Sequence, residues 1–380
     1  MNDWKWVKLS EIIDFNPKEQ LLKGSISKKI AMEKIEPFTR DISEFERLEF
    51  KGGTKFRNGD TLIARITPSL ENGKTAKVNL LDEDEIGFGS TEFIVARAKK
   101  GISDENFVYY LMLDPKVREV AIKSMVGTSG RQRVQLDVVK NYEILCPPLE
   151  EQIQIGRILS VIDDKIENNK KINHHLAEQI SLIYNLAITT QKVTTKTIDE
   201  VTVKNEDIIA VSKINSNNYV STTNMISDKS GINNNITLPS TQYVKAFHPK
   251  DILISNIRPY FKKIWYSNKS GGHSADVLNF RANTAIISPE ILWAYLYQDS
   301  FFDAVTKSAK GTKMPRGDKN AIMKFKISIP ANSKELTTTI RPILSLIAEN
   351  NRQNYNLENL KSSLLPKLLS GELSVNQATK

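Results

Sequence analysis

The chain has 380 residues, 40% hydrophobic and 26% charged, enough for two domains or a little more, each with its own core. Its 53 Lys and Arg against 44 Asp and Glu leave a net charge of +9, which fits nucleic-acid contact and also fits plain solubility. A single cysteine, Cys146, excludes an intrachain disulfide and points to a reducing compartment, with packing rather than nucleophilic attack as its role. The opening Met1-Asn2-Asp3-Trp4-Lys5 lacks the apolar core of a signal peptide, and no window approaches the ~18 apolar residues of a membrane span. A cytoplasmic protein without membrane contact is expected.

Taken in chain order, the predicted elements occur twice, with a period of about 185 to 190 residues, which means two copies of a domain rather than a solenoid. Asp60-Thr61-Leu62-Ile63-Ala64-Arg65-Ile66-Thr67-Pro68 reads as an apolar strand led in by a turn and closed by proline. Its counterpart is Asp251-Ile252-Leu253-Ile254-Ser255-Asn256-Ile257-Arg258-Pro259. Ser103-Asp104-Glu105 and Ser288-Pro289-Glu290 each open a helix, with the serine as cap and acidic residues in the first turn. Each helix is expected to run past Asp114 or Asp299 into a second helical stretch. Glycine-rich basic loops follow, at 126–133 and 310–317, and then short apolar segments ending at Pro147-Pro148 and Pro330.

A long helix closes each copy. The first carries Ile155, Ile158, Ile162, Ile166, Ile172, Leu176, Ile180 and Ile183 at three- and four-residue steps. The second, starting near Ser333, carries Ile340, Ile343, Ile347, Leu357, Leu360, Leu364 and Leu368. Each seam would be exposed alone, and pairing the helices buries both. Asparagines at 168–169 and 350–351 interrupt the seams and suggest a polar layer that fixes register. At ~1.5 Å per residue, a helix of about 38 residues spans roughly 55 Å, long enough to act as a rigid spacer. The alternative is that each helix packs only on its own domain. The expected fold is α+β: two similar α/β domains at 1–147 and 191–330, separated by two long, antiparallel paired helices at 148–190 and 331–380, the last including a C-terminal tail.

Catalytic constellations are missing. There is no Gly-x-x-x-x-Gly-Lys-Ser/Thr loop for ATP and no Gly-x-Gly-x-x-Gly. Gly87-Phe88-Gly89 reads as turn glycine. His174, His175, His248 and His273 with one cysteine give no metal-ligand spacing. Asp82-Glu83-Asp84-Glu85 reads as a solvated loop, Asp163-Asp164 as a solvated or partner-facing pair, and Asn16-Pro17 lacks the rest of an amino-methyltransferase motif.

Sequence readers need groove-edge donors and acceptors plus cations for phosphates. The first glycine-rich loop offers Thr128, Ser129, Arg131, Gln132 and Arg133, where Arg suits guanine and Gln suits adenine. The second offers Lys310, Thr312, Lys313, Arg316 and Lys319. The strand ends add Arg65, Thr67, Ser69 and Lys74 in one half and Asn256, Arg258, Tyr260, Lys262 and Lys263 in the other. Ser90-Thr91 and His273-Ser274 occupy comparable positions. An ordinary solvated turn is the alternative for each loop. The polar residues differ between the copies, as two readers of different half-sites would, and as plain divergence would.

The arrangement resembles the specificity subunit of type I restriction-modification systems. The resembling residues are Trp4-Lys5-Trp6-Val7-Lys8-Leu9-Ser10-Glu11-Ile12, then Pro147-Pro148-Leu149-Glu150-Glu151-Gln152-Ile153, and most sharply Leu364-Leu365-Pro366-Lys367-Leu368-Leu369-Ser370-Gly371-Glu372-Leu373. The resemblance implies two target-recognition domains, each reading half of a split double-stranded DNA site. It implies paired helices that act as a ruler and dock two methyltransferase subunits, here through Ile155, Ile162, Ile166, Leu176, Ile347, Leu357, Leu364 and Leu368. Restriction/translocase subunits join for cleavage, and S-adenosylmethionine, ATP and magnesium belong to the partners, leaving this chain with no cofactor and no catalytic site. The second helix departs from the pattern, with Ile329-Pro330-Ala331-Asn332-Ser333-Lys334-Glu335 at its start. An assembly scaffold that holds partners without reading sequence is the competing function, and an enzyme with a hidden nuclease site the third.

Overall fold

The computed structural model describes residues 3–378 apart from 43, 129, 234 and 235. It contains two compact units, Met1–Glu167 with Leu357–Lys380, and Asn168–Asn356. Their division falls within both long helices rather than at the helix ends.

The first unit holds two four-stranded sheets. One runs Ile13–Phe15, Phe93–Ala98, Thr61–Ala64, Thr75–Lys77 in spatial order, all antiparallel. Thr61–Ala64 is central and buried throughout, which is why it reads as a continuous apolar run rather than an alternating one. The other sheet runs Glu46–Glu49, Ile26–Ile30, Gly87–Gly89, Thr54–Phe56, with Ile26–Ile30 and Gly87–Gly89 parallel. The second unit repeats the first sheet strand for strand as Thr202–Val203, Val277–Ala282, Ile252–Ser255, Ile264–Tyr266. Three strands of the other sheet also recur, as Tyr219–Val220, Gly271–His273 and Tyr243–Phe247, again with one parallel pair. The fourth strand differs: Ile208–Ala210 adds beyond Tyr243–Phe247, the opposite edge from that used by Glu46–Glu49.

Several local expectations are corrected. Gly87 and Gly89 lie in a buried strand, not a turn: a Cβ at Gly89 would stand 2.4 Å from the Ile30 carbonyl oxygen, and one at Gly87 2.5 Å from the Phe56 ring. Gly271 is the counterpart, where a Cβ would meet the Asn218 carbonyl oxygen at 1.9 Å. The cap of helix Glu105–Leu113 is Asp104, whose carboxylate accepts from the N–H groups of Asn106 and Phe107, while Ser103 turns inward to donate to the Ile12 carbonyl at 2.5 Å. Ser288 caps Pro289–Leu296 as expected. Asp114 ends the first helix and caps the next, Pro115–Lys123, with proline in its first turn. The acidic run is not simply solvated: buried Lys28 bonds Asp82 at 2.7 Å and Glu85 at 3.1 Å.

The long helices span Leu149–Thr190 and Ser333–Leu369. Within the first unit, Ile155 and Leu159 share a core with Leu365, Leu368 and Leu369, and within the second, Ala177, Ile180 and Tyr184 share one with Leu336, Ile340 and Leu344. Both cores also include residues of the adjoining globular part, so the helices pair and pack on their own domains. The pairing is antiparallel. Lys361 Nζ reaches Asp163 at 2.5 Å in the first unit; in the second, Asn169 donates to Asn354 at 2.8 Å, Asn173 to Asn351 at 2.9 Å and Asn350 to Asn173 at 2.8 Å. Those amides form the polar layer, and a slip of one turn would leave them facing aliphatic seams. Asp163, expected to be solvated or partner-facing, is instead buried and also accepts from the Tyr110 hydroxyl at 2.7 Å.

The family-like motifs have physical roles in these cores. Gln152 donates to the Pro147 carbonyl at 2.9 Å and accepts from the Asp104 N–H at 3.2 Å, tying the helix start to the neighbouring cap. In the second copy Thr337 serves, its hydroxyl 2.8 Å from that of the cap Ser288, so a different side chain makes an equivalent tie. At the other end, Gly371 in the left-handed region (φ +73°) ends the second long helix, and the Leu373 N–H returns to the Lys367 carbonyl at 3.1 Å.

Candidate nucleic-acid interface

In each unit the strand-end loop and the glycine-rich loop come together. Val126 and Arg133 exchange N–H···O bonds of 3.0 and 2.9 Å, closing the loop between them as a hairpin whose glycines, Gly127 and Gly130, take positive φ. That hairpin lies along the strand end, where Thr67 N–H donates to Gln132 at 3.0 Å and Val134 N–H to Arg65 at 2.9 Å. The second unit repeats it. Lys310 and Arg316 exchange bonds of 2.9 and 3.0 Å, and Arg258 N–H donates to Pro315 at 2.8 Å.

A carboxylate anchors each hairpin. Arg133 forks onto Glu92, with Nη2 at 2.6 Å and Nε at 3.0 Å from both oxygens, and Arg65 stands 4.0 Å from the same carboxylate. The Arg133 guanidinium holds the Glu92 carboxyl below the usual glutamate range. Arg316 forks onto Asp276 at 2.9 and 3.3 Å. Glu92 and Asp276 each sit one residue before the second strand of the repeated sheet, Phe93–Ala98 and Val277–Ala282, and each accepts a backbone bond from the strand end, Arg65 N–H at 2.9 Å and Asn256 N–H at 2.8 Å. A second repeated pair lies below, Arg97 on buried Asp60 (both bonds 2.7 Å) and Arg281 on buried Asp251 (both 2.8 Å).

These pairs sort the expected DNA contacts. Arg133, Arg316, Lys310 (on Asp318 at 2.6 Å) and Lys262 (on Asp299 at 2.9 Å) are held by carboxylates. Thr67 donates to Glu71 at 3.0 Å, and half-buried Arg258 reaches the Lys313 carbonyl at 3.5 Å. Two side chains are not presented to a groove, contrary to the expectation from sequence. Lys74 is half-buried and donates to the Met32 carbonyl at 2.7 Å, and burial lowers its pKa; Asn256 is 3% exposed. Thr128, Arg131 and Gln132 in one unit, and Tyr260, Thr312 and Lys313 in the other, make no side-chain hydrogen bond or ion pair among the described residues, and all but half-buried Gln132 are exposed. Ser129 lies outside the described residues.

Of the eight helix residues expected to contact a partner, half are buried within the chain. Ile155, Ile162, Ile166 and Leu368 are buried in the chain's own cores, and Leu176, Ile347, Leu357 and Leu364 are half-buried. The large apolar residues of the long helices left exposed are Ile153, Val161, Ile172, Leu182, Leu186, Leu346 and Leu360, of which the seam reading included only Ile172 and Leu360. Glu92, Asp276 and the Asp60–Arg97 and Asp251–Arg281 pairs were missed too, although an acidic residue at matching positions of both copies was a usable signal.

Among the described residues, no three His, Cys, Asp or Glu side chains are grouped to hold a metal ion, and no helix is long and apolar enough to cross a membrane. Cys146 is buried, its thiol pushed up to about 11 by desolvation, which suits packing.

The sequence model of the type I restriction modification DNA specificity domain matches residues 1–178. The EcoAI specificity subunit of Escherichia coli is 34% identical over 170 residues, covering 42% of this chain and 28% of that protein. The EcoEI specificity subunit of the same species is 33% identical over 161 residues, covering 40% and 26%. The match thus spans little more than a quarter of the length of these relatives. The MjaIX specificity subunit of Methanocaldococcus jannaschii is 24% identical over 318 residues, 73% of this chain and 71% of that one. Among solved structures, the type I restriction-modification S subunit from M. genitalium shares the fold, with a TM-score of 0.50, 15% identity, and coverage of 97% of this chain and 96% of that one. Residues 1–178, a little under half of the chain, are thus similar to the type I restriction modification DNA specificity domain.

Proposed function

We propose that the chain is a sequence-specific DNA-binding subunit that reads a bipartite target, one half-site per globular domain (1–147 and 191–330), and directs partner subunits to it. The observation that carries this reading is the repeated hairpin. Both copies keep the same arginine–carboxylate anchor and an unpaired threonine after the loop glycine (Thr128, Thr312), yet the other side chains left unpaired differ in kind: Arg131 and Gln132 against Tyr260 and Lys313. A constant frame with variable donors, acceptors and cations is what two readers of unlike half-sites require. The +9 charge supplies a sequence-independent attraction to phosphates.

The partners in this reading are two methyltransferase subunits and, for cleavage, restriction/translocase subunits. They dock on the outward apolar residues of the long helices, such as Val161 and Leu182, because the seam residues are already used. The helices set a fixed spacer between half-sites. S-adenosylmethionine, ATP and magnesium reside on the partners, and this chain performs no catalysis.

Random-site selection with the complex retrieved from cells tests the proposal. It predicts an enriched motif of two short blocks around an unselected spacer. A retrieved complex that enriches no motif would instead favour the assembly scaffold.

A further inference from the structure

We propose that Tyr260 and Phe261 form an aromatic wedge that enters a base-pair step of the half-site read by the second unit. That unit then senses how readily the step opens as well as which edges it presents. The inference rests on the DNA-reading role proposed above.

The two rings are 49% and 37% exposed, lie 4.8 Å apart between centroids, and sit at the tip of the strand-end loop beside the 310–316 hairpin. An exposed Tyr-Phe pair on a loop gains little from the fold itself. The loop is nonetheless fixed. Arg258 and Lys262, flanking the tip, both take φ +49°, a left-handed conformation that costs free energy for any residue with a Cβ. A neighbouring segment clamps it: the Asp228 and Lys229 N–H groups donate to the Phe261 and Lys262 carbonyls, each at 2.9 Å, and these two residues are left-handed as well, at φ +53° and +61°. The Lys229 and Lys262 ammonium groups then meet on Asp299 at 2.8 and 2.9 Å. Four strained residues and a shared carboxylate thus hold two apolar rings outward in a defined pose. A wedge needs this, because a floppy loop would fold back rather than separate stacked bases.

The first unit has the loop without the wedge. Ser69 and Leu70 stand where Tyr260 and Phe261 do after the shared proline, and Leu70 is buried, with Arg118 Nη2 on its carbonyl at 3.0 Å. Insertion therefore belongs to one half-site, and it favours steps that unstack easily, such as pyrimidine–purine.

The test uses the complex retrieved from cells and duplexes carrying its selected motif, with a single mismatch placed at each step in turn. At one step of the second half-site a mismatch tightens wild-type binding several-fold, because the cost of unstacking has been removed. The Tyr260→Ala/Phe261→Ala double variant binds the paired duplex about tenfold more weakly and shows no mismatch gain, while its first half-site motif is unchanged. Phe261→Leu keeps the gain, since leucine also serves as a wedge. A double variant of undiminished affinity, or one that retains the gain, overturns the wedge while leaving DNA reading intact. A wild-type complex that selects no motif overturns both.

Discussion

The two units share a frame and differ at its rim. Both place an aspartate–arginine pair beneath the central strand, Asp60–Arg97 and Asp251–Arg281, and both pin the hairpin with an arginine on the carboxylate before the second strand. The rims diverge. In the first unit the strand-end loop is drawn inward by buried Leu70, by Arg118 and by Lys74, leaving Arg131 and Thr128 as the outward groups. In the second, Asp299 and the 226–231 segment prop the loop outward with two rings at its tip. Residues that recur in both copies are therefore framework, and residues that differ are the candidates for reading.

The largest expected effect falls on the frame. Arg97→Ala or Arg281→Ala leaves a buried aspartate without its cation, at a cost on the order of 3 kcal/mol. Urea denaturation should show a comparable loss for both, and a large loss for one alone would break the equivalence of the units. At the rim, Arg131→Ala should relax discrimination at one position of the first half-site, by ~1–3 kcal/mol if the contact is bidentate, whereas Arg133→Ala should act mainly by loosening the hairpin. Competition binding against single-base variants separates the two. Equal relaxation by both substitutions would return Arg133 to the reading surface. Lys313→Ala should weaken all sequences alike and reduce the salt slope by about 1, as expected for a phosphate contact.

The smallest effect is on pH. The Glu92 carboxyl lies below its ordinary value in the fold because of Arg133, so its stabilisation is complete above the unfolded-state value and is lost as pH falls through the lower folded value. The pair is partly exposed and screened by solvent, so its contribution is small. Hydrogen exchange of the 126–133 hairpin should quicken on acidification through the carboxylate range, and Glu92→Gln should abolish that step.

Much of the frame was legible in sequence because periodicity and duplication report burial. Thr61–Ala64 and Ile252–Ser255 announced themselves as apolar strands, and the interrupted seams announced paired helices with an amide layer. Pairing partners far apart in sequence were not legible. Arg133 and Lys74 carry the same charge on paper as Arg131, yet the first is paired with Glu92 and the second turns in to donate to a backbone carbonyl, and only the fold brings those acceptors near. Gly87 and Gly89 misled for a similar reason: a turn and a crowded central strand both demand glycine, and the sequence alone does not say which neighbour forbids the Cβ.

The central claim is that the two units read independently. It is tested most directly by exchanging residues 1–147 for those of a relative with a different target and determining the motif by random-site selection. The account predicts that one half-site changes while the other half-site and the spacer stay as they were. A change in both half-sites together, or in neither, would contradict it.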